Sequence, residues 1–220
     1  MSLKRMAVAA FVAILSWSSV ASGEEKDEAM LLDAVRAGRL AEVRSMLGKA
    51  DLEARDAQGR TALLLATHAN NVEIARTLID AGADVNAKDH IKDTPFLYAG
   101  AEGRDDILKL MLATGKAKLG DTNRYGGTAL IPAAHHGHPT TVAILLQAGL
   151  DIDHVNNLGW TALLEAVILG DGGPIYQEIV GLLVDAGAKQ IPDRDGVTPL
   201  EHARLRGFDA IAARIAAGPM

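Results

Sequence analysis

The sequence has 220 residues, of which 49% are apolar, 23% charged and 4% aromatic, and it contains no cysteine. This composition is typical of a globular protein and excludes disordered, collagen-like and disulfide-stapled chains. Lysine and arginine number 22 against 28 aspartates and glutamates, which gives a formal net charge of -6. An acidic chain of this kind lacks the cationic surface of a nucleic-acid-binding protein, so we expect no nucleic-acid partner.

Residues 1–23 have the layout of a secretory signal peptide. Two basic residues precede the apolar run Met6–Leu15, and small residues follow it. The alternative, an N-terminal membrane anchor, is disfavoured because the run is shorter than the roughly 20 apolar residues that span a bilayer. We therefore expect cleavage after Ala21 or Gly23, a mature protein in a bacterial periplasm, and no membrane association after cleavage.

Six-residue segments that begin with threonine and end with alanine recur along the rest of the chain. They are Thr61-Ala-Leu-Leu-Leu-Ala66, Thr94-Pro-Phe-Leu-Tyr-Ala99, Thr128-Ala-Leu-Ile-Pro-Ala133, Thr161-Ala-Leu-Leu-Glu-Ala166 and Thr198-Pro-Leu-Glu-His-Ala203. Successive threonines lie 33, 34, 33 and 37 residues apart, a period typical of stacked helical repeats. Each threonine is predicted to cap the N-terminus of an inner helix.

Two further markers share the register of the threonines. Nine residues after each threonine stands a residue suited to a left-handed helix C-cap: Asn70, Gly103, Gly137, Gly170 or Gly207. Five residues before each threonine stands a turn-forming aspartate or asparagine: Asp56, Asp89, Asn123, Asn156 or Asp193. Each repeat is therefore predicted to consist of a helix, a turn, a second helix and a projecting loop.

This pattern resembles ankyrin repeats, and the resemblance covers about residues 29–217. The stretches 123–133 and 154–166 are also similar to small secreted bacterial members of that family. The resemblance implies an all-α ankyrin-repeat solenoid of about six helix-turn-helix repeats with projecting loops. We place the repeats at residues 29–60, 61–93, 94–127, 128–160, 161–197 and, as a truncated last unit, 198–220.

One apolar residue in each repeat is expected to form a ladder through the core, because a single helix pair cannot bury its apolar faces alone. The ladder residues are Leu31, Leu63, Phe96, Leu130, Leu163 and Leu200.

The fifth position of the inner helix, counted from the threonine, differs between repeats and includes Tyr98, Pro132 and Glu165. Tyr98 and Glu165 are included in the predicted partner-binding set. Proline lacks a backbone donor, so the helix that contains Pro132 is predicted to bend or to begin late. Glu165 stands where an apolar residue is usual. Two interpretations stay open: its side chain reaches solvent across the groove floor, or it contacts a partner or locks two repeats together.

The loop tips form a second variable line. Arg124 and Tyr125 occupy one tip, Asn157 the next, and Trp160 lies just before Thr161. Arginine, tyrosine and tryptophan are the residues that binding hot spots favour, so we predict partner contacts at Arg124, Tyr125, Asn157 and Trp160. The alternative is that these aromatic residues pack between loops and only make them rigid.

The fifth repeat carries an insertion, Gly170-Asp-Gly-Gly-Pro174, between its two helices. Phosphate binding is excluded because the stretch lacks the lysine and hydroxyl of a phosphate loop and follows no strand. Longer helix–helix loops in repeat arrays project on one face and carry function, so Asp171 joins the predicted partner-binding residues.

His135 and His136 lie close together in the sequence and are included in the predicted partner-binding set. Imidazole is also a metal ligand, but these two side chains are not expected on one helix face, and no cysteine is available. We therefore predict no metal and no cofactor. No nucleophile motif is present, which excludes a serine or cysteine hydrolase.

These features predict a monomeric, non-enzymatic protein-interaction module of the bacterial periplasm. It would bind a partner protein through the concave groove and loop tips, with an accessory role for a periplasmic enzyme as one form of that function. The alternative is a small-ligand or metal-binding protein that uses the groove of the fourth and fifth repeats.

Overall fold

The computed structural model describes residues 23–219, so the predicted signal peptide lies, apart from Gly23, outside the described residues. This range contains twelve α-helices and no β-strand, which agrees with the predicted all-α class. The helices are α1 (residues 23–36), α2 (Leu40–Met46), α3 (Ala62–His68), α4 (Val72–Asp80), α5 (Pro95–Ala101), α6 (Asp105–Ala113), α7 (Leu130–His135), α8 (Pro139–Gln147), α9 (Ala162–Ile168), α10 (Pro174–Asp185), α11 (Pro199–Leu205) and α12 (Asp209–Ala217).

The described chain divides between Ala83 and Asp84 into two compact units. The first unit contains α1 to α4, and α4 packs on both α2 and α3. The second unit contains α5 to α12. Its inner helices α5, α7, α9 and α11 pack side by side in chain order, and each one is covered by the outer helix that follows it.

The predicted core ladder is buried in each unit except at its last residue. Leu31, Leu63, Phe96, Leu130 and Leu163 are at most 1% exposed. Leu200 is only half-buried, so the prediction for this residue is wrong. The physical reason is that α11 has α9 on one side and, within residues 23–219, no further inner helix on the other.

Threonine caps the inner helix in four of the five repeats in which it was predicted to do so. The hydroxyl oxygens of Thr61, Thr94, Thr161 and Thr198 accept a hydrogen bond from the backbone N–H three residues later. Thr128 does not, and α7 begins one residue later relative to its threonine than the other inner helices. The Thr128 hydroxyl is buried and has no hydrogen-bond partner among the described residues.

Pro132 explains the different start of α7. In the other repeats the N–H of the fifth residue donates to the threonine carbonyl, as from Glu165 to Thr161 at 2.9 Å. Pro132 has no N–H, and the carbonyl of Thr128 instead accepts from Ile131 at 3.2 Å. The Ile131 N–H, which would otherwise meet the threonine hydroxyl, is therefore used elsewhere. The predicted late start of this helix is confirmed.

The insertion of the fifth repeat differs from its prediction in two respects. Only two of its residues lengthen the turn, because α10 begins at Pro174 and is 12 residues long, against nine in α8. The left-handed residue is Gly172, with φ 77°, and Gly170 is not in that conformation. The added residues move the cap position along the chain, so the cap prediction for Gly170 is wrong.

Among residues 23–219, none of the helices combines the length and the apolar character that crossing a bilayer requires.

The unpaired Thr128 hydroxyl gives a direct test of this geometry. Thr128→Val should leave the free energy of unfolding unchanged or raise it slightly, because it removes a buried hydroxyl that has no partner. Thr161→Val, the matched control, should lower it by about 1 kcal/mol because a working N-cap is lost. Urea unfolding of the two variants measures the difference. Equal destabilisation by both changes would show that Thr128 also caps its helix.

Candidate protein-binding surface

Each projecting loop is held by the side chain of its aspartate or asparagine. One side-chain oxygen accepts from the backbone N–H groups two and four residues later; in the loop of Asp89 these belong to Ile91 and Asp93, both at 2.9 Å. The backbone of the same residue adds two more bonds, to the residues three and four positions on. The same pattern occurs in five loops, at Asp56, Asp89, Asn123, Asn156 and Asp193.

The third residue after each of these anchors adopts the left-handed conformation. Glycine fills this position in four loops, but Lys92 fills it in the loop of Asp89, with φ 68°. A residue with a Cβ atom is strained there. The loop that contains Lys92 therefore carries backbone strain that the loops with glycine at this position lack.

Three consecutive loops of the second unit carry an exposed apolar side chain at the same register, two residues after the anchor. Ile91 is 50% exposed, Tyr125 55% and Leu158 49%. We call Ile91, Tyr125 and Leu158 the apolar tip row. The next loop ends the row with a charged residue, Asp195. Solvent-exposed apolar side chains repeated at one register mark an interaction surface more strongly than single ones do.

Arg124 and Tyr125 form one pair at the centre of this row. The guanidinium carbon of Arg124 lies 4.7 Å from the centroid of the Tyr125 ring, a cation–π arrangement. A hydrogen bond from the Arg124 side chain to Tyr125 raises the pKa of Arg124. Arg124 also lies 3.9 Å from the Asp93 carboxylate of the preceding loop. The exposed Tyr125 ring is thus held in place without being covered.

Consecutive loop tips are bonded to each other through Asn157. Its backbone N–H donates to the Tyr125 carbonyl at 2.9 Å, and its own carbonyl accepts from Arg194 at 2.6 Å. A Cβ atom on Gly126 would overlap the Asn157 side chain, so glycine is needed there for close approach as well as for its φ. Asn157 therefore acts as a link between tips, whatever else it contacts.

Trp160 lies at the base of its loop and not at the tip. Trp160 is half-buried, and its backbone N–H donates to Asn156 Oδ1 at 3.0 Å. The structure thus brings Arg124, Tyr125 and Asn157 together at the tips and places Trp160 beneath them. Their role in binding a partner stays a prediction.

Glu165 does not reach solvent, and that interpretation is wrong. The residue is 5% exposed. Its Oε1 accepts from Asn156 Nδ2 at 2.8 Å, and its Oε2 lies 3.5 Å from His135 Nδ1 of the preceding repeat. Glu165 of the fifth repeat is therefore bonded to the loop of Asn156 and lies close to His135 of α7, both in the fourth repeat, as the repeat-locking interpretation requires.

Burial sets the electrostatics of this cluster. Burial raises the pKa of Glu165, while the hydrogen bond from Asn156 and the nearby His136 oppose the rise. Burial also lowers the pKa of His135, and the neighbouring His136 lowers it further. Both shifts disfavour the charged form, so the contact between Glu165 and His135 is not stabilised as an ordinary ion pair.

His135 and His136 face different repeats. His136 Nδ1 lies 2.7 Å from the Ala101 carbonyl of the preceding repeat, whereas His135 faces Glu165 of the following one. Within the described part of the chain, no group of three histidine, aspartate or glutamate side chains is placed to hold a metal ion.

Tyr98 lies on an inner helix, and Asp171 lies in a turn away from the tips. Tyr98 is half-buried on α5 and hydrogen-bonds Arg104; burial, then the charge of Glu102, raises its pKa. Asp171 accepts from the N–H of Gly173 at 2.8 Å in the α9–α10 turn. Helix α9, with seven residues and thus about 10 Å long, separates this turn from the loop tips.

The insertion does not project freely. The Tyr176 hydroxyl, just after it, donates to the His135 carbonyl at 2.7 Å. On the other side, Arg206 of the last repeat donates to the carbonyls of Ile168 and Gly170. The insertion is therefore bound to the repeats on both sides.

Sequence reasoning did not select Ile91 and Leu158 as site residues. Both stand in the same register as Tyr125, and this shared position in the loop was the signal that could have identified them. Apolar residues in single loops are unremarkable. Only the alignment of three loops in one unit distinguishes these two.

Comparisons with known proteins agree with the repeat pattern. A family model described as ankyrin repeats (three copies) matches residues 8–115 and 96–191. The chain is 42% identical over 171 residues to the ankyrin repeat protein YahD of Escherichia coli (strain K12), which covers 76% of this chain and 85% of YahD.

Two solved structures are similar as well. An ankyrin repeat domain from Acinetobacter baumannii AYE has 53% sequence identity and a TM-score of 0.82, over 85% of this chain and 96% of that one. EF0377, an ankyrin repeat protein, has 44% identity and a TM-score of 0.83, over 86% of this chain and 97% of that one. The predicted fold class, an all-α ankyrin-repeat solenoid, is confirmed.

The left-handed Lys92 generates a prediction for the loops. Lys92→Gly should raise the free energy of unfolding by roughly 0.5–1 kcal/mol, because relief of backbone strain exceeds the entropy that glycine adds to the unfolded chain. Gly126→Ala at the same register should lower it by more than about 1 kcal/mol, since it adds both strain and overlap with Asn157. Thermal and urea unfolding measure both changes. Destabilisation by Lys92→Gly would mean that the lysine side chain contributes more than its strain costs.

Proposed function

Because the chain belongs to the ankyrin-repeat family, whose members are generally non-enzymatic protein-interaction modules, we propose that it binds a partner protein through the loop tips of its second unit. The apolar tip row carries this proposal. Three exposed apolar side chains at one register lie on loops that are fixed by hydrogen bonds, and they form a preformed surface. Because the loops are already ordered in the free protein, binding loses little further conformational entropy.

The chemistry of the tips indicates what kind of partner surface would fit. Tyr125 can bury its ring while the adjacent Arg124 remains available for a carboxylate or carbonyl group of the partner. Tyrosine and arginine are enriched among residues that dominate binding energy. We therefore propose Tyr125 as the central anchor, with Ile91 and Leu158 on either side of it.

Partner capture tests this proposal. The mature protein is immobilised and exposed to a periplasmic extract of its host, and retained proteins are quantified for wild type, Tyr125→Ser, Leu158→Ser and Leu205→Ser. Leu205 is 79% exposed on α11 and serves as a matched control, because it is apolar and lies outside the tip row. A partner of the row should be lost with the first two variants and kept with the third.

Affinity for the purified partner gives the quantitative form of this test. Tyr125→Ser and Leu158→Ser should each weaken binding by roughly 1–4 kcal/mol and leave the unfolding midpoint nearly unchanged. Trp160 is the one tryptophan outside residues 1–23, so its fluorescence reports binding near this surface. Equal affinity of all three variants would place the binding surface elsewhere.

We also propose that the protein acts in a bacterial periplasm, where an accessory role for an enzyme would suit a module without chemistry of its own. The basic start and the short apolar run Met6–Leu15 support export. The match to the family model begins at residue 8, inside the proposed signal peptide. N-terminal sequencing of the native protein therefore decides whether this segment is a cleaved signal peptide or part of the repeat domain.

The export proposal has a simple expected result. Protein isolated from its host should begin near Ser22 or Glu24 and should be released with the periplasmic contents by osmotic shock. Recovery of the chain with Met1 intact in the cytosolic fraction would contradict it. Replacing the apolar run with polar residues should abolish release, whereas Leu205→Ser should not affect it.

A further inference from the structure

Two positions face each other across the base of two loops: the anchor residue of the loop and the fifth residue of the inner helix that follows it. Before α9, Asn156 Nδ2 donates to Glu165 Oε1 at 2.8 Å. Before α11, His202 Nε2 lies 2.7 Å from Asp193 Oδ2. The chemistry is reversed between the two, because the loop supplies the donor in one pair and the acceptor in the other.

The side-chain amide of Asn156 has an oxygen that accepts hydrogen bonds and an NH2 group that donates them, and the two groups contact different partners. Its Oδ1 accepts from the N–H groups of Leu158 and Trp160, at 2.9 and 3.0 Å. Turned by 180°, the amide would point its NH2 group at two N–H donors. A carboxylate has acceptor oxygens only, so Glu165 selects the orientation in which Oδ1 holds the loop.

Burial makes this selection necessary in the loop of Asn156. Asn156 is 6% exposed, so a buried NH2 group without Glu165 would lose its acceptor at a site that water does not reach readily. The corresponding Asn123 is only half-buried, and the fifth position of the inner helix that follows it, counted from Thr128, is Pro132, whose side chain has no acceptor. Water can serve the Asn123 amide. Burial of a carboxylate costs free energy, and here the buried Glu165 side chain accepts the hydrogen bond from the Asn156 NH2 group.

We propose that Glu165 is a positioning residue of the apolar tip row: it contacts no partner itself but, through Asn156, fixes the loop that carries Leu158 and Trp160. The importance of this loop for binding rests on the proposed function. The positioning itself is a property of the free protein and can be measured without a partner.

Amide hydrogen exchange followed by NMR tests the proposal on the mature protein. Glu165→Leu, which introduces the residue found at this position in the second repeat, should raise exchange at the Leu158 and Trp160 amides roughly two- to tenfold, as expected for weakened hydrogen bonds. Glu165→Gln should stay near wild type because its side-chain carbonyl still accepts from Asn156. The amides of Tyr125 and Gly127, which donate to Asn123, are internal controls and should not change.

A rescue experiment separates positioning from general stability. Asn156→Asp alone replaces the NH2 donor with a second carboxyl group that faces Glu165. At a pH where both groups are ionised, their repulsion should speed exchange at the same two amides. The double variant Asn156→Asp/Glu165→His recreates the pair seen between Asp193 and His202, and should return exchange towards wild type. The single variant Asn156→Asp and the double variant also test the proposal if Glu165→Leu does not fold.

Three results would overturn the proposal. They are unchanged exchange at Leu158 and Trp160 in Glu165→Leu, equal acceleration at the control amides of the Asn123 loop, and failure of the double variant to improve on Asn156→Asp. Selective acceleration with rescue, combined with unaltered partner capture by both Tyr125→Ser and Leu158→Ser, would uphold the positioning role and refute the proposed binding surface.

Discussion

The loops of this protein depend on one interaction, the acceptance of two backbone N–H groups by a single side-chain oxygen. It occurs in five loops, at Asp56, Asp89, Asn123, Asn156 and Asp193. Because the anchor satisfies the backbone, the two residues that follow it need not contribute to loop structure. They are therefore free to differ, and this is where Ile91, Tyr125 and Leu158 stand. The hydrogen bonds of the anchors fix the loop backbone and thus leave the side chains at these variable positions exposed to solvent.

Most of the fold could be predicted from the sequence because the repeat presents each backbone requirement several times. Threonine before the helix, a left-handed residue after it and an anchor in the loop are local rules. Of the three failures, Leu200 lies on the last inner helix, which packs on one side only, and the other two occur where a second local rule competes. At Thr128 the proline four residues on takes away an N–H group, and the carbonyl then uses the donor that the cap needed. In the fifth repeat, added residues moved the left-handed position from Gly170 to Gly172.

The candidate site was less predictable, since it depends on what lies opposite each side chain in space. The sequence shows that Glu165 is unusual, but its burial follows from the packing of α9 on α7 and from the position of Asn156. Similarly, nothing local distinguishes His135, which faces Glu165, from His136, which faces the Ala101 carbonyl. The exposed row was within reach of sequence reasoning, because register alone aligns Ile91, Tyr125 and Leu158. It required comparison of loops with one another instead of a search for aromatic residues.

The insertion of the fifth repeat shows why the tips are the better place to expect function. An insertion that projects into solvent would be a natural binding element. Here Gly172 packs so closely against Phe208 that a Cβ atom would overlap the ring, and Arg206 lies over the same ring at 4.6 Å. Tyr176, in the helix that follows, is bonded to the preceding repeat, so contacts with both neighbouring repeats hold this segment in place, while Asp171 and Pro174 stay exposed. Gly172 of the irregular segment is thus used for packing. The regular loops, whose backbones are already satisfied, keep three apolar side chains exposed at one register.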